Sequence, residues 1–389
     1  MALPIAYNVR NLLVRKTTTM MTALGIALTV AVLAGVLALL QGLRTSLEMA
    51  GHPLQLVVMR RGAPSEIASV LSRAAFQDAR LKPGIALGRN GEPLASLEVI
   101  IGINLPNPSP GKAEINITVR GLTATGFELR DNISLASGRM FQSGLREVLV
   151  GEALAGRYPE LGLGRRIRFG RGEWTVVGIM QAGHAATSSE IFADLNLVAA
   201  DYYRSEVLSS IRIRAADPAA MEALRLDLEH DRRLNVTCQS EKGYYDSQTV
   251  SAAPIKYLGI FISVVLAIGS SFAAMNTMYT VVARRAAEIG TLRVLGFSRA
   301  AILTSFLLES LLISGVGGAL GCLLVLPLHD LNAGLTSVLT FSEMIFDFRI
   351  TPAILGAGLG FALVIGGLGG LFPARHAASK QIVAALREA

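Results

Sequence analysis

The stretch "RRAAEIGTLRVLGFSR", residues 284–299, sets four arginines and one glutamate between two long uncharged runs. Arg284 and Glu288 stand four apart and can pair along a helix. Ile289, Leu292 and Leu295 recur at three-residue steps and form one apolar stripe. Gly296 suits the left-handed position that closes a helix, and Ser298 suits the N-cap of the next one. The segment reads as a short amphipathic helix between two sharp corners. A basic loop lying on lipid headgroups needs only cations. The glutamate, the stripe and the defined stops are what a protein-docking helix needs.

Outward from this stretch the chain is oily. Residues 17–43, 257–283 and 350–374 contain no Asp, Glu, Lys or Arg, and 300–328 contains only Glu309. At 1.5 Å per residue each run exceeds the ~30 Å hydrocarbon core as a helix. A buried helix of a soluble protein would show a polar face. Only 17% of the 389 residues are charged, against about a quarter in soluble domains. The expected fold is therefore a membrane protein with four transmembrane α-helices. A large α+β extracytoplasmic domain is expected between helices 1 and 2. The first apolar run is too long for a signal peptide, and no small-residue cleavage site follows "LLQGLRTSLE", so a retained anchor is expected.

The expected order is an amphipathic N-terminal segment (1–16), span one (17–43), the α+β domain (44–252) and span two (253–283). The basic helix (284–299), span three (300–328), a short outside loop (329–349), span four (350–373) and a tail (374–389) follow. Orientation follows from the cations. Arg10, Arg15 and Lys16, then Arg284, Arg285, Arg293 and Arg299, then Arg375, Lys380 and Arg387 fall in the termini and the basic helix. Asp330, Glu343 and Asp347 face a single Arg349 in the 329–349 loop. Both termini and the basic helix are thus expected in the cytoplasm, with 44–252 outside. The net charge of +7 is a topology signal and gives no reason to invoke nucleic acid.

Within 44–252, "PLQLVVMRRG" reads as a strand, and "SEIASVLSRAAF" as a helix with Ser65 as N-cap. "EINITVRGL" alternates, with Ile115, Ile117 and Val119 on one face and Asn116, Thr118 and Arg120 on the other. "REVLVGEALAGRY" is a strand running into a helix, and "RRIRFGRGEWTVVGIM" a hairpin turning at "GRGE". "SSIRIRAAD" is another alternating strand, and Asp217 with Pro218 opens a helix. The Gly- and Pro-rich "GRNGEPLASLEVIIGINLPNPSPGK" (88–112) reads as a mobile, partly extended surface connection, with a ligand-gripping loop as the other option.

No phosphate-cradling G-x-x-x-x-G-K-[ST], no G-x-S-x-G and no metal-spaced histidines occur. No catalytic, cofactor or metal site is expected in this chain. Cys238 reads as a small buried hydrophobe, with a nucleophile as the other option, and should not pair with Cys322. Glu309 lies about ten residues into span three, roughly 15 Å deep. A bare carboxylate there costs several kcal/mol, so it is expected paired, protonated or facing a wet seam. A polar clasp between helices and a proton- or substrate-handling role both remain. Gly317 with Gly321, Gly356 with Gly360 and Gly366 with Gly370 are small-xxx-small pairs suited to packing spans three and four together.

Residues 284–299 resemble the cytoplasmic motif of FtsX-like permeases of the MacB type, the membrane subunits of type VII ABC systems. "MMTALGIALTVAV" resembles their first span. "GRMFQSGLREVLVGEALAGRY", "GRRIRF" and "EWTVVGIM" resemble their outer domain. "FLLESLLISGVGGALG" resembles their third span, and "GGLFPARHAASKQIVAALRE" their C-terminus, apart from a missing proline before "ALR". The resemblance implies a coupling helix that docks into an ABC ATPase dimer through Glu288, Leu292, Arg293 and Leu295, with Arg284, Arg285 and Arg299 at the rim. ATP and Mg would be held by that separate partner and not by this chain. The same resemblance places the chain in a bacterial inner membrane, with 44–252 periplasmic. A second permease copy, membrane lipid, a periplasmic adaptor and an outer-membrane channel complete the expected assembly. The implied mechanism is mechanotransmission, and the implied activity is export or extraction of a substrate. The alternative is an FtsX-like regulator of a cell-wall hydrolase or sensor.

Overall fold

The computed structural model describes residues 16–106, 114–182, 186–248, 253–336 and 343–379. These fall into two compact units. One takes in residues up to 41, 254–331 and from 348 on, and the other 42–253 with 332–347.

The first unit is helical. Four helices are long and apolar enough to cross a membrane, with candidate spans Thr19–Ser46, Pro254–Arg284, Arg299–Leu328 and Pro352–Ser379. The first helix, Lys16–Ala50, continues beyond the apolar run, because Arg44 and Glu48 end the oily stretch without breaking helical geometry. Gly51 and Pro53 are the first residues that do. The second helix is Ala253–Arg284, the third Arg299–Val325 and the fourth Pro352–Ser379. The last runs through Pro373, past the boundary expected at 373, while residues 1–15 and 380–389 lie outside the described residues.

Hydroxyls and glycines join these helices. Thr22 and Thr277 hydroxyls lie 3.2 Å apart, and those of Thr29 and Ser270 2.8 Å, joining helices one and two. Ser310 Oγ donates to Gly366 O at 2.7 Å between helices three and four. Gly366 and Gly370 pack against Ser310 and Ser314 of the third helix, as their spacing predicts. Gly317 and Gly321 instead face the first helix, at Ala23, Ile26, Ala27 and Val30, and not the fourth. Gly356 and Gly360 face open space among the described residues, so they pack against nothing there. Gly318 against Ala362, and Gly369 against Ala274, make the close approaches that the motif did not single out. A spacing of four identifies a helix face, but not the helix that covers it.

The second unit is α+β. Its strands are β1 (Gln55–Arg60), β2 (Leu71–Ser72), β3 (Ala95–Leu105), β4 (Ile115–Leu122) and β5 (Ser134–Gly138). Next come β6 (Glu147–Gly151), β7 (Arg166–Phe169), β8 (Gly172–Gln181), β9 (Glu190–Asp194) and β10 (Val207–Leu208). The last are β11 (Ser210–Arg214), β12 (Val236–Ser240), β13 (Asn332–Thr336) and β14 (Glu343–Asp347). One mixed sheet runs β12-β1-β11-β3-β4-β9-β6-β8-β5, with β7 also on β8. The β4–β9 and β6–β8 pairs are parallel. Asp217 caps the helix Pro218–His230, accepting from Ala220 N at 2.8 Å. Trp174 is fully buried and stacks on Phe169, ring centroids 4.9 Å apart.

Three expectations change here. The stretch 88–112 carries β3, a buried inner strand, because its apolar β-branched centre outweighs the Gly and Pro at its ends. Residues 107–112 of it lie outside the described residues. Ser65 makes no side-chain cap, and the helix Arg73–Arg80 is capped instead by Ser72, which accepts from Ala75 N. The 329–349 loop is more than a loop. Its β13–β14 hairpin belongs to the α+β unit. Ile345 is buried in the same apolar cluster as Ile117, Val119 and Trp174. Ser189 Oγ accepts from Ile345 N at 2.9 Å and donates to Ile345 O at 3.2 Å.

Candidate functional site

The basic stretch folds as expected at its ends. A helix spans Ala286–Val294. Phe297 N donates to Leu292 O at 3.1 Å and Gly296 N to Arg293 O at 3.2 Å, a Schellman closure. Gly296 has φ +92°, which disfavours any residue with a Cβ. Ser298 caps the third long helix by accepting from Ala301 N.

Side chains on this connecting helix depart from the expected pattern. Arg285, and not Arg284, holds Glu288, with Nε donating to Oε2 at 2.6 Å. The helix begins at Ala286, so Arg285 sits at the corner and its side chain turns back. Arg285 is buried, whereas Arg284 is exposed. Arg285 Nη1 also donates to Glu309 Oε2 at 3.1 Å, and its guanidinium lies 5.1 Å from the Phe306 ring centroid. Glu309 is thus a buried, paired carboxylate that clasps two elements. The apolar stripe also divides. Ile289 is buried with Ile302 and Phe306, Leu292 is half-buried, and Leu295 is 69% exposed. Val294, 61% exposed, and Thr291 join Leu295 and Arg299 on the outer surface. Arg293 Nη1 donates to Phe297 O at 3.2 Å, strengthening the closing turn. The outward face is therefore Arg284, Glu288, Thr291, Val294, Leu295 and Arg299. Arg285 and Ile289 anchor the opposite side.

The α+β unit holds a second arrangement, which the sequence did not reveal. Glu66, Glu98, Arg120, Arg130, Arg212 and Glu241 are all buried. Arg120 grips Glu190 with two bonds of 2.7 and 2.8 Å, Glu98 at 2.6 Å and Glu66 at 3.1 Å. Arg130 reaches Glu98 at 2.9 Å. Arg212 lies 3.4 Å from Glu98 and pairs with Glu241, which also accepts from His52 N at 2.8 Å. Burial alone would raise the Glu66 carboxyl. The charges of Arg120 and Arg212, with hydrogen bonds from Arg120 and Ser210, overturn that and hold it down to about 2. A carboxyl depressed in the folded state stabilises fully above its unfolded value near 4.5, and that stability drains away as pH falls toward 2. The shift corresponds to roughly 3 kcal/mol. Trp174 is the only tryptophan in the chain, so its emission reports this unit alone. Acid unfolding followed by that emission should begin below about pH 4.5, and Glu66→Gln should flatten the dependence between pH 4.5 and 2.

Cys238 is buried in β12, its thiol pushed up to about 12 by burial and by Glu229, which suits a core residue and not a nucleophile. Among the described residues no group of three His, Cys, Asp or Glu stands where it could hold a metal.

Four membrane-length helices, a short connecting helix between the second and third, and an α+β unit inserted after the first are the arrangement of a multi-pass membrane protein. Residues 19–230 match the MacB-like periplasmic core domain, and residues 260–382 match the FtsX-like permease C-terminal domain. The chain belongs to the FtsX-like, MacB-type family of ABC transporter permeases. It is 26% identical over 294 residues to the macrolide export ATP-binding/permease protein MacB of Bradyrhizobium diazoefficiens, covering 70% of this chain and 43% of that one. It is 31% identical over 229 residues to the pyoverdine export ATP-binding/permease protein PvdT of Pseudomonas syringae, covering 54% of this chain and 32% of that one. The crystal structure of the periplasmic region of MacB from Actinobacillus actinomycetemcomitans aligns at 12% identity with a TM-score of 0.38, covering 51% of this chain and 94% of that one. The chain spans about half the length of the curated relatives named MacB that it matches, between 41% and 56%.

Proposed function

We propose that this chain is the membrane-spanning part of an ABC exporter, driven through the connecting helix by an ATPase dimer. The carrying observation is the two-sided character of that helix. One side is fixed by Arg285 and Ile289, while the other offers Val294 and Leu295 ringed by Arg284, Glu288 and Arg299. An apolar centre with a charged rim is the usual anatomy of a protein contact. In this reading the connecting helix and both chain ends face the cytoplasm of the bacterial inner membrane, and the α+β domain is periplasmic. ATP and Mg are bound by the partner. Two permease copies work together, and closure of the ATPase dimer moves the connecting helices and, through the long helices, the outer domains. Both relatives named above are export proteins, which favours export over regulation of a hydrolase; a periplasmic adaptor and an outer-membrane channel would complete that reading.

The docking face is tested best at Leu295, since Glu288 is engaged with Arg285 and its replacement would disturb two things at once. Leu295→Asp should lower co-purification of the ATPase from membranes more than tenfold, about 1.4 kcal/mol. Trp174 emission and membrane insertion should stay unchanged. Undiminished recovery of the ATPase with this variant would refute the docking face.

A further inference from the structure

We propose that Arg285 is a positioning residue that locks the connecting helix to the third long helix, so that the two move as one body. The role in transport rests on the coupling reading above, whereas the lock itself does not. Arg285 is where three elements meet. Its N–H donates to Val281 O at 3.1 Å, completing the second long helix. Its carbonyl accepts from Ile289 N at 2.9 Å, starting the connecting helix. Its side chain crosses to Glu309 on the third long helix while holding Glu288 on the connecting helix.

The surroundings make this bridge stiff. Phe306 lies against the guanidinium, and Val281, Val282, Ile289 and Ile302 form the apolar cluster beside it. Little water reaches the Arg285–Glu309 pair, so that charge-assisted bond acts in a low dielectric, whereas the bond to the half-exposed Glu288 is screened. The closing turn at Gly296 leaves only Leu295 to Ser298 between the two helices. A push on Val294 or Leu295 therefore reaches the third helix by two routes, a tight covalent corner and the Arg285–Glu309 bridge. The Gly296 corner ties one end of the connecting helix to the third helix, while its other end continues from the second helix and is tied to the third by the bridge. Without the bridge that end would move with the second helix independently of the third, and part of the stroke would be lost.

The experiment measures the distance between spin labels at Val294→Cys and Leu308→Cys, both exposed positions, in full-length protein in lipid bilayers with Cys238 and Cys322 replaced by alanine. The wild-type background should give one narrow distribution, and Arg285→Ala should widen it at least twofold. The double variant Arg285→Met with Glu309→Gln leaves no buried charge of this pair behind, and it too should stay wide. If either variant keeps the narrow distribution, apolar packing alone holds the helix and the proposal is overturned. In the assembled transporter Arg285→Ala should keep ATPase co-purification while export per ATP consumed falls at least tenfold. Full export with a widened distribution would overturn the positioning role. Failure of the wild-type chain to bring down any ATPase would remove the coupling reading, and the label distances would still decide the lock.

Discussion

Glu98→Ala is expected to destabilise the α+β domain by about 3–5 kcal/mol, a large share of the ~5–15 kcal/mol that holds a domain together. Glu98 is fully buried on β3 and lies within 2.6 Å of Arg120, 2.9 Å of Arg130 and 3.4 Å of Arg212. Removing it leaves guanidinium groups crowded together in the sheet with one carboxylate fewer among them. The cost is the stranded charge, which no water can solvate, more than the lost attraction. The exposed Arg80–Glu92 pair, at 3.1 Å, is the natural control. Glu92→Ala should change stability by no more than about 1 kcal/mol, since solvent screens that pair. Urea unfolding followed at Trp174 should separate the two variants clearly. Equal midpoints would mean that the cluster contributes no more than a surface contact.

The second large effect belongs to the helical unit. A Cβ at Gly317 would stand 2.7 Å from the Ala23 carbonyl oxygen and 3.0 Å from Ile26 Cβ, and a leucine there must drive the first and third helices apart. Overpacking of this kind costs about 1–3 kcal/mol or more, and backbone cannot yield as a side-chain tip can. Gly317→Leu should lower the thermal midpoint in detergent by about 5–10 °C and cut the yield of folded protein. Gly356→Leu, at a position with nothing within 4 Å, should leave both unchanged. A Gly317→Leu protein as stable as the parent would show that these helices do not meet at that point.

The architecture was legible where one short stretch carries its own signal. Uncharged runs marked the four long helices, and Gly296, Ser298 and Asp217 marked helix ends through local hydrogen bonds. The 166–181 hairpin was equally local. What escaped depends on residues far apart in sequence. The alternation of β4 placed Arg120 on a polar face, yet Thr118 and Arg120 are as buried as Ile117 and Val119. An inner strand is covered on both faces, so alternation there separates one buried layer from another. Glu98 and Glu190 come from other strands, Glu66 and Glu241 from the first residues of short helices, and no spacing along the chain announces them. In the basic stretch the i,i+4 rule chose Arg284 because it assumed an unbroken helix, whereas the chain bends at Arg285. Phe306 and Glu309 complete that site from the third helix, which pattern-reading along 284–299 could not include.

The β13–β14 hairpin bears on how this protein can be cut for biochemistry. Residues 42–253 look like a self-contained insert, and a soluble fragment would naturally end there. Such a fragment lacks Ile345, a buried side chain of its own apolar interior, and leaves Ser189 without the main chain it grips from both sides. Grafting residues 332–347 back through a flexible tether would restore the missing piece, so a truncated preparation that clumps would say more about the scissors than about the fold.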